Sequence, residues 1–211
     1  MQNNSAVKTR ILFAGTGGQG VLTAASILTE TLVEMGLDVV SSQLHGMAQR
    51  GGSVQAAVLV NCGLSSALKN GDADVVLGLE PAETARALNS MSSKSVVFMN
   101  STPILPFVLG QEYIHKKGDG KYPEVSDLIK DVKSKTSKVS VIDATELAEK
   151  AGEKKALNMV FLGCLLGSGL LPCNMDEFWG IISEKMPPKF KEINTKAFIS
   201  GVEIGKQQVV G

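Results

Sequence analysis

Arg10-Ile-Leu-Phe-Ala runs directly into Gly15-Thr-Gly17-Gly18-Gln19-Gly20, and the next apolar residues, Val21, Ala24, Ala25, Leu28, Leu32 and Met35, recur at helical spacing. A short apolar run, a glycine cluster and an amphipathic helix in that order specify a buried strand that turns tightly into a helix. Glycines at such a junction permit positive φ and close backbone approach, while the free N–H groups at the helix start attract an anion. Gly36 then supplies a helix stop, and Asp38-Val-Val-Ser-Ser reads as a second strand. Strand, turn, helix, strand predicts a right-handed, Rossmann-like βαβ unit on a parallel sheet.

Further elements follow the same logic. Residues 44–52 are glycine-rich and polar and read as a loop; Ser53–Asn61 alternates as a strand with a partly covered second face. Strands are predicted at Asp74–Leu79, Ser95–Asn100 and Val139–Ile142. Helices are predicted at about 81–89, 124–133 and 145–151, with a surface excursion over 101–124. The last third, 154–206, reads as helical, broken at Leu171-Pro172 and Met186-Pro-Pro. No repeat or linker divides the chain. At 211 residues and 44% hydrophobic content it is expected to form one three-layer α/β/α domain spanning 1–211, with a helical C-terminal end.

Several function classes are disfavoured at once. Twenty-one basic and 21 acidic residues leave no net field to gather nucleic acid or an anionic membrane, so an anion site must be local. Cys62, Cys164 and Cys173 form no Cys-x-x-Cys pair, which argues against a disulfide framework, a zinc site or a self-contained iron–sulfur cluster. The polar start lacks a signal-peptide core, and the apolar stretch Ala156–Leu171 is too short to span a bilayer. A cytoplasmic protein is expected, with no metal of its own.

The glycine turn satisfies G-x-G-x-x-G, and a tight turn with nothing bound is the plain alternative to a ligand site. Nicotinamide binding calls for an acid near the end of strand two, where this chain has Ser41, Ser42 and Gln43. Arg50, which would suit a 2′-phosphate, lies past that strand. No Lys-Ser/Thr follows the last glycine, so the turn is not a Walker A loop. Gly118-Asp-Gly resembles the start of a thiamine diphosphate motif, but residues 143–149 hold no asparagine to complete it.

The most informative segment is His45-Gly-Met-Ala-Gln-Arg50-Gly-Gly-Ser53-Val. Taken with Gly17-Gly-Gln-Gly-Val21, it resembles the small subunit of indolepyruvate:ferredoxin oxidoreductase, a relative of the gamma-type subunits of pyruvate and 2-oxoglutarate ferredoxin oxidoreductases. The resemblance continues through Ala73-Asp-Val-Val-Leu-Gly-Leu-Glu80, Asn158-Met-Val-Phe-Leu-Gly and Pro187-Pro-Lys-Phe-Lys-Glu-Ile-Asn-Thr-Lys-Ala-Phe, and so covers most of the chain in order. The pyruvate and oxoglutarate branches tend to an aromatic-Gly-Pro-Glu type of sequence where this chain has His45-Gly-Met-Ala-Gln, which favours the indolepyruvate branch.

The resemblance implies oxidative decarboxylation of a 2-oxoacid to an acyl-CoA with reduction of ferredoxin. Thiamine diphosphate and [4Fe-4S] clusters would belong to a larger (alpha) partner subunit, coenzyme A would be co-substrate, and ferredoxin would be met through the complex. On this view the chain binds no cofactor alone and helps to receive coenzyme A. Gly15, Gly17, Gly18, Gln19, Gly20 and Ser53 are the cofactor-facing candidates. His45, as proton donor or hydrogen-bond partner, and Arg50, as a fork onto carboxylate or phosphate, are the catalytic candidates. The competing assignments are a loop-organising His45 and a salt-bridged Arg50. Gln49 is a further polar contact, Met47 contact surface or filler, and Glu80 either a ligand group at the strand end or a helix N-terminal charge. Asn158 is a packing or interface residue, and His115 lies on a solvated surface. A stand-alone dinucleotide-binding protein and a scaffold subunit with an empty turn remain as alternatives, and a homodimer of the isolated chain stays open.

Overall fold

A computed structural model of the chain describes residues 7–45, 52–63, 67–104 and 122–209. Six strands make one sheet: β1 (Thr9–Thr16), β2 (Val39–His45), β3 (Ser53–Val60), β4 (Ala73–Gly78), β5 (Met91–Asn100) and β6 (Val139–Ile142). Among the described residues the helices are α1 (Val21–Glu34), α2 (Pro81–Arg86), α3 (Val125–Lys135), α4 (Ala144–Ala151), α5 (Leu157–Gly167), α6 (Met175–Lys185) and α7 (Pro188–Val209). Short 3₁₀ turns cover Ala87–Ser90 and Lys154–Ala156.

The strand order is β2-β3-β1-β4-β5-β6. β1, β4, β5 and β6 pair in parallel, whereas β3 is antiparallel to both β1 and β2. The βαβ opening is therefore present in direction but not in adjacency, since β3 is inserted between β1 and β2. This corrects the expectation of a parallel sheet: the sheet is mixed, because β3 runs antiparallel to both its neighbours. The physical reason lies in the connection at 46–52, which is too short for a parallel crossover, typically about a dozen residues or more, so β3 must return beside β2 as an antiparallel partner.

Both faces of the sheet are covered. Ile11, Phe13, Val58, Val75, Leu77 and Phe98 face a core built with α1 and α4 to α7. Leu12, Val76, Val97 and Met99 face a smaller core with α2 and α3. This is the three-layer arrangement expected, and burial on both faces explains why the strands read as near-continuous apolar runs. The second face of β3 is buried outright, at Ala57 and Leu59.

Local chemistry sets the helix limits. α1 ends where Gly36, at φ 80°, lets its N–H bond Val33 O and the Leu37 N–H bond Leu32 O, a Schellman stop. Asp143 caps α4 by accepting from the Glu146 N–H at 2.9 Å, and Asn174 caps α6 through the Glu177 N–H at 3.0 Å. α5 is apolar on every side because it lies between the sheet-side core and α7. Gly163 and Gly167 on α5 face Gly201 and Gly205 on α7, where the backbones approach too closely for any Cβ.

Candidate functional site

β1 and β4 are the central parallel pair from which the chain departs in opposite directions, to β3 and β2 on one side and to β5 and β6 on the other. In open α/β sheets the ends of such strands leave a crevice. Here it is a pocket of about 710 Å³, within the roughly 300–1,000 Å³ typical of ligand clefts. It is lined by the glycine turn with Thr23, by Thr102–Ile104 after β5, Thr145 on α4, Lys154 and Lys155 in the 3₁₀ turn, and Leu157 and Asn158 on α5. Among the described residues the lining holds two lysines and no carboxylate.

The turn is shaped by its own side chains. Gln19 accepts from the Thr16 N–H at 2.7 Å and from Thr16 Oγ1 at 3.1 Å, and its amide donates to the Leu79 carbonyl at 2.8 Å. Gly15 is the space this requires, because a Cβ there would stand 2.8 Å from both Gln19 Oε1 and Val21 Cγ2. Gly15 thus serves packing and does not line the pocket. Gly18 (φ 103°) and Gly20 (φ 78°) occupy left-handed conformations that a side chain would strain. Gly20 starts α1 without a side-chain cap, and the Ala24 N–H is the first to bond back to it. Gly20 and Thr23 both line the pocket, so the uncapped first turn of α1, where main-chain N–H groups lack intrahelical acceptors, begins at its edge.

The sheet register joins this turn to the second sequence motif. Gly15 pairs with Val54, and Val54 pairs with His45, so the three form one row across β1, β3 and β2. Ser53 pairs with Thr16, and the Gly17 N–H donates to the Gly52 carbonyl at 2.9 Å. Both ends of the 46–51 segment are therefore fixed at the rim of the glycine turn. The structure describes the backbone of His45 but not its side chain; Arg50, Met47, Gln49, His115 and Gly118-Asp-Gly lie outside the described residues.

The lining beyond the turn is organised by a residue the sequence did not single out. Asn100, fully buried at the end of β5, donates to Leu79 O at 3.1 Å and to Thr145 Oγ1 at 3.2 Å, and accepts from the Ala144 N–H at 3.1 Å. Glu80 resolves in favour of a structural charge. It is 1% exposed, caps α2 by accepting from the Glu83 N–H at 2.9 Å, and also accepts from the Tyr122 hydroxyl. Asn158 is drawn into the pocket, its amide about 3.4 Å from where a Gly20 Cβ would stand. Lys154 pairs with Glu149 at 2.7 Å, whereas Lys155 has no ion-pair partner among the described residues. Position after a strand end is the one signal that would have flagged Thr102 and Thr145.

Comparison with known proteins agrees with this geometry. Residues 10–204 match the family model described as pyruvate ferredoxin/flavodoxin oxidoreductase. Indolepyruvate oxidoreductase subunit IorB of Archaeoglobus fulgidus is 35% identical over 195 residues, 92% of this chain and 94% of that protein. The gamma subunit of a keto/oxoacid ferredoxin oxidoreductase from Geobacter sulfurreducens shares the fold, with a TM-score of 0.65, 22% identity, and coverage of 94% of this chain and 99% of that one. The 2-oxoglutarate:ferredoxin oxidoreductase of Magnetococcus marinus, solved with 2-oxoglutarate, coenzyme A and succinyl-CoA bound, superposes with a TM-score of 0.66 at 16% identity over 95% of this chain and 31% of its own. By the family model and the curated relatives together, this chain belongs to the pyruvate ferredoxin/flavodoxin oxidoreductase family.

Proposed function

We propose that this chain is the small, non-autonomous subunit of a 2-oxoacid:ferredoxin oxidoreductase of the indolepyruvate type, and that its glycine-turn pocket receives the phosphates of coenzyme A. The observation that carries the reading is the pocket at the sheet's switch point, lined by the uncapped start of α1 and by two lysines and, among the described residues, by no carboxylate. Relatives named as indolepyruvate oxidoreductase subunits and a structural neighbour solved with coenzyme A support it.

Thiamine diphosphate and [4Fe-4S] clusters, held by the larger subunit in this reading, supply decarboxylation of the oxoacid and transfer of its electrons to ferredoxin. The described residues of this chain include no grouping of His, Cys, Asp and Glu suited to a metal. Its own residues bind and orient: Gly17, Gly18 and Gly20 present backbone to phosphate, with Gly15 and Gln19 fixing that backbone. Ser53, opposite Thr16, is a polar contact at the rim. His45 would donate a proton or hydrogen bond to the oxoacid, and Arg50 would fork onto its carboxylate or a phosphate. We place the complex in the cytoplasm and the whole chain in one domain; no helix among the described residues is long and apolar enough to cross a membrane. A stand-alone nicotinamide-binding role is disfavoured because β3 separates the turn from Ser41, Ser42 and Gln43 on β2, and these are not acids.

Anaerobic co-expression with the large-subunit gene tests the proposal. A stable complex that reduces ferredoxin with aryl pyruvate and coenzyme A is expected, and the small subunit alone should carry neither iron nor thiamine. Failure to co-purify, or stoichiometric iron in the isolated chain, overturns it. In the complex, Arg50→Ala should cut activity far more than thermal stability; equal losses would mark a structural arginine.

A further inference from the structure

The hydroxyl groups of the pocket can be sorted by where their protons go. Thr16, Thr23, Thr102 and Thr145 all belong to its lining. Thr16 donates to Gln19 Oε1 at 3.1 Å, so its proton serves the turn. Thr102 donates to the Asp143 carboxylate at 2.9 Å, which leaves its oxygen able only to accept. Thr145 is the reverse case. Its Oγ1 accepts from Asn100 Nδ2 at 3.2 Å, and its own proton has no acceptor among the described residues. Thr23 is exposed, whereas Thr145 is half-buried and anchored to the fully buried Asn100. The same Asn100 amide donates to the Thr102 carbonyl at 3.4 Å, so one buried side chain holds the two threonines beside each other.

A ready donor beside a ready acceptor suits a ligand group that offers an acceptor and an N–H side by side. Such a group is neutral, and the surroundings ask for that. The Asp143 carboxylate behind Thr102 would repel a phosphate, and a phosphate dianion has no proton to give the Thr102 oxygen. Pro103, Ile104 and Leu157 add apolar surface to the same lining, as methylene groups flanking an amide would use. Resting on the assignment of this pocket to coenzyme A, we propose that Thr145 and Thr102 read a secondary amide of its pantetheine arm. Thr145 donates to the amide carbonyl, and Thr102 accepts the amide N–H. The adenine edge carries a similar acceptor and N–H, and the test separates the two.

The experiment uses the complex of this chain with its large subunit. It measures KM for coenzyme A and the inhibition constant of adenosine 3′,5′-bisphosphate, which keeps adenine and phosphates but lacks the pantetheine arm. Loss of one neutral hydrogen bond in Thr145→Val should raise KM about fivefold, with kcat kept and the inhibition constant within about twofold of wild type. Thr102→Val, which removes the acceptor, should do the same, and Thr145→Ser, which keeps the hydroxyl, should return KM to the wild-type value. Thr23→Glu puts a carboxylate at the start of α1, where it suits the helix but repels phosphate, and should raise both constants. If Thr23→Glu raises both while Thr145→Val leaves KM unchanged, or lowers only kcat and thermal stability, the Thr145 hydroxyl merely supports Asn100 and this inference alone falls. An inhibition constant that rises in step with KM in Thr145→Val would set adenine against the pair and overturn the amide. If Thr23→Glu moves neither constant, coenzyme A sits elsewhere and the underlying pocket assignment falls as well.

Discussion

Gln19 and Asn100 donate to the same acceptor: the Leu79 carbonyl receives Gln19 Nε2 at 2.8 Å and Asn100 Nδ2 at 3.1 Å. One main-chain oxygen at the end of β4 thus ties the glycine turn to the Thr102 and Thr145 part of the pocket lining. Gln19→Ala removes three hydrogen bonds at a partly buried site and should cost about 2 kcal/mol in urea unfolding. Asn100→Asp replaces a buried donor by a carboxylate facing a carbonyl and should cost about 3 kcal/mol or more at neutral pH. Burial would raise the new carboxyl's pKa, so its neutral form is favoured on folding. The deficit should therefore shrink as pH falls and grow as pH rises, and a deficit independent of pH would show that the introduced carboxylate finds a compensating partner.

The close pairing of α5 with α7 yields a second expectation. A Cβ on Gly201 would stand 1.9 Å from the Val160 carbonyl oxygen, and backbone atoms cannot move aside as a side chain can. Gly201→Ala should destabilise the fold by about 3 kcal/mol, at the upper end of ordinary overpacking. Gly180, inside α6, offers the control, because nothing lies within 4 Å of its missing Cβ. Gly180→Ala should stabilise by about 0.5–1 kcal/mol through helix propensity alone. Thermal melts of the two variants that moved in the same direction would contradict this account.

These contrasts show where the sequence was legible. The junction at Gly15–Gly20 announced itself because strand, glycines and helix are contiguous, and the turn forms as read. The antiparallel return of β3 beside β2 was readable from the shortness of 46–52, but its insertion between β1 and β2 was not. Lys155 and Asn158 meet the glycine turn across more than half the chain, and a lysine in a polar turn carries no mark of the cavity it will line. Asn100 was hidden for the opposite reason. It ends an apolar strand, where a buried amide and a surface residue look alike until its acceptors, Leu79 and Thr145, have been folded against it.

Glu80 and Tyr122 join the start of α2 to the segment leading into α3. Glu80 accepts the Tyr122 hydroxyl, which itself accepts from the Ala82 N–H at 3.1 Å, and the Ile104 N–H also donates to Glu80 at 3.4 Å. Tyr122→Phe should cost about 2 kcal/mol, because it leaves a buried carboxylate and an N–H with one partner fewer. Glu80→Ala removes the α2 cap as well and should cost more. The double variant should fall short of the sum by about 1 kcal/mol or more, the mark of coupled neighbours, and strict additivity would deny the link.

Alkaline pH should destabilise the folded chain through its buried thiols. Burial first, and Glu177 second, push Cys173 from 9.0 up to about 11, while burial drives Cys164 upward too. Tyr122 moves in the same direction through burial and the neighbouring Glu80. For each group the folded pKa lies above the unfolded one, so the protonated form is favoured on folding. Their contribution is complete below the unfolded value and is lost as pH rises through the folded value. For Cys173 that window runs from about 9 to 11 and, discounted for solvent screening of a half-buried thiol, is worth on the order of 2 kcal/mol. Urea unfolding across this range should show a steady fall in stability, and Cys173→Ala should flatten part of it. Iodoacetamide at pH 8 should correspondingly leave Cys164 and Cys173 unmodified in the native chain and label both once it unfolds, since the thiolate is the reacting form. Rapid native labelling of Cys173 at that pH would mean that its half-buried surroundings do not hold the thiol protonated.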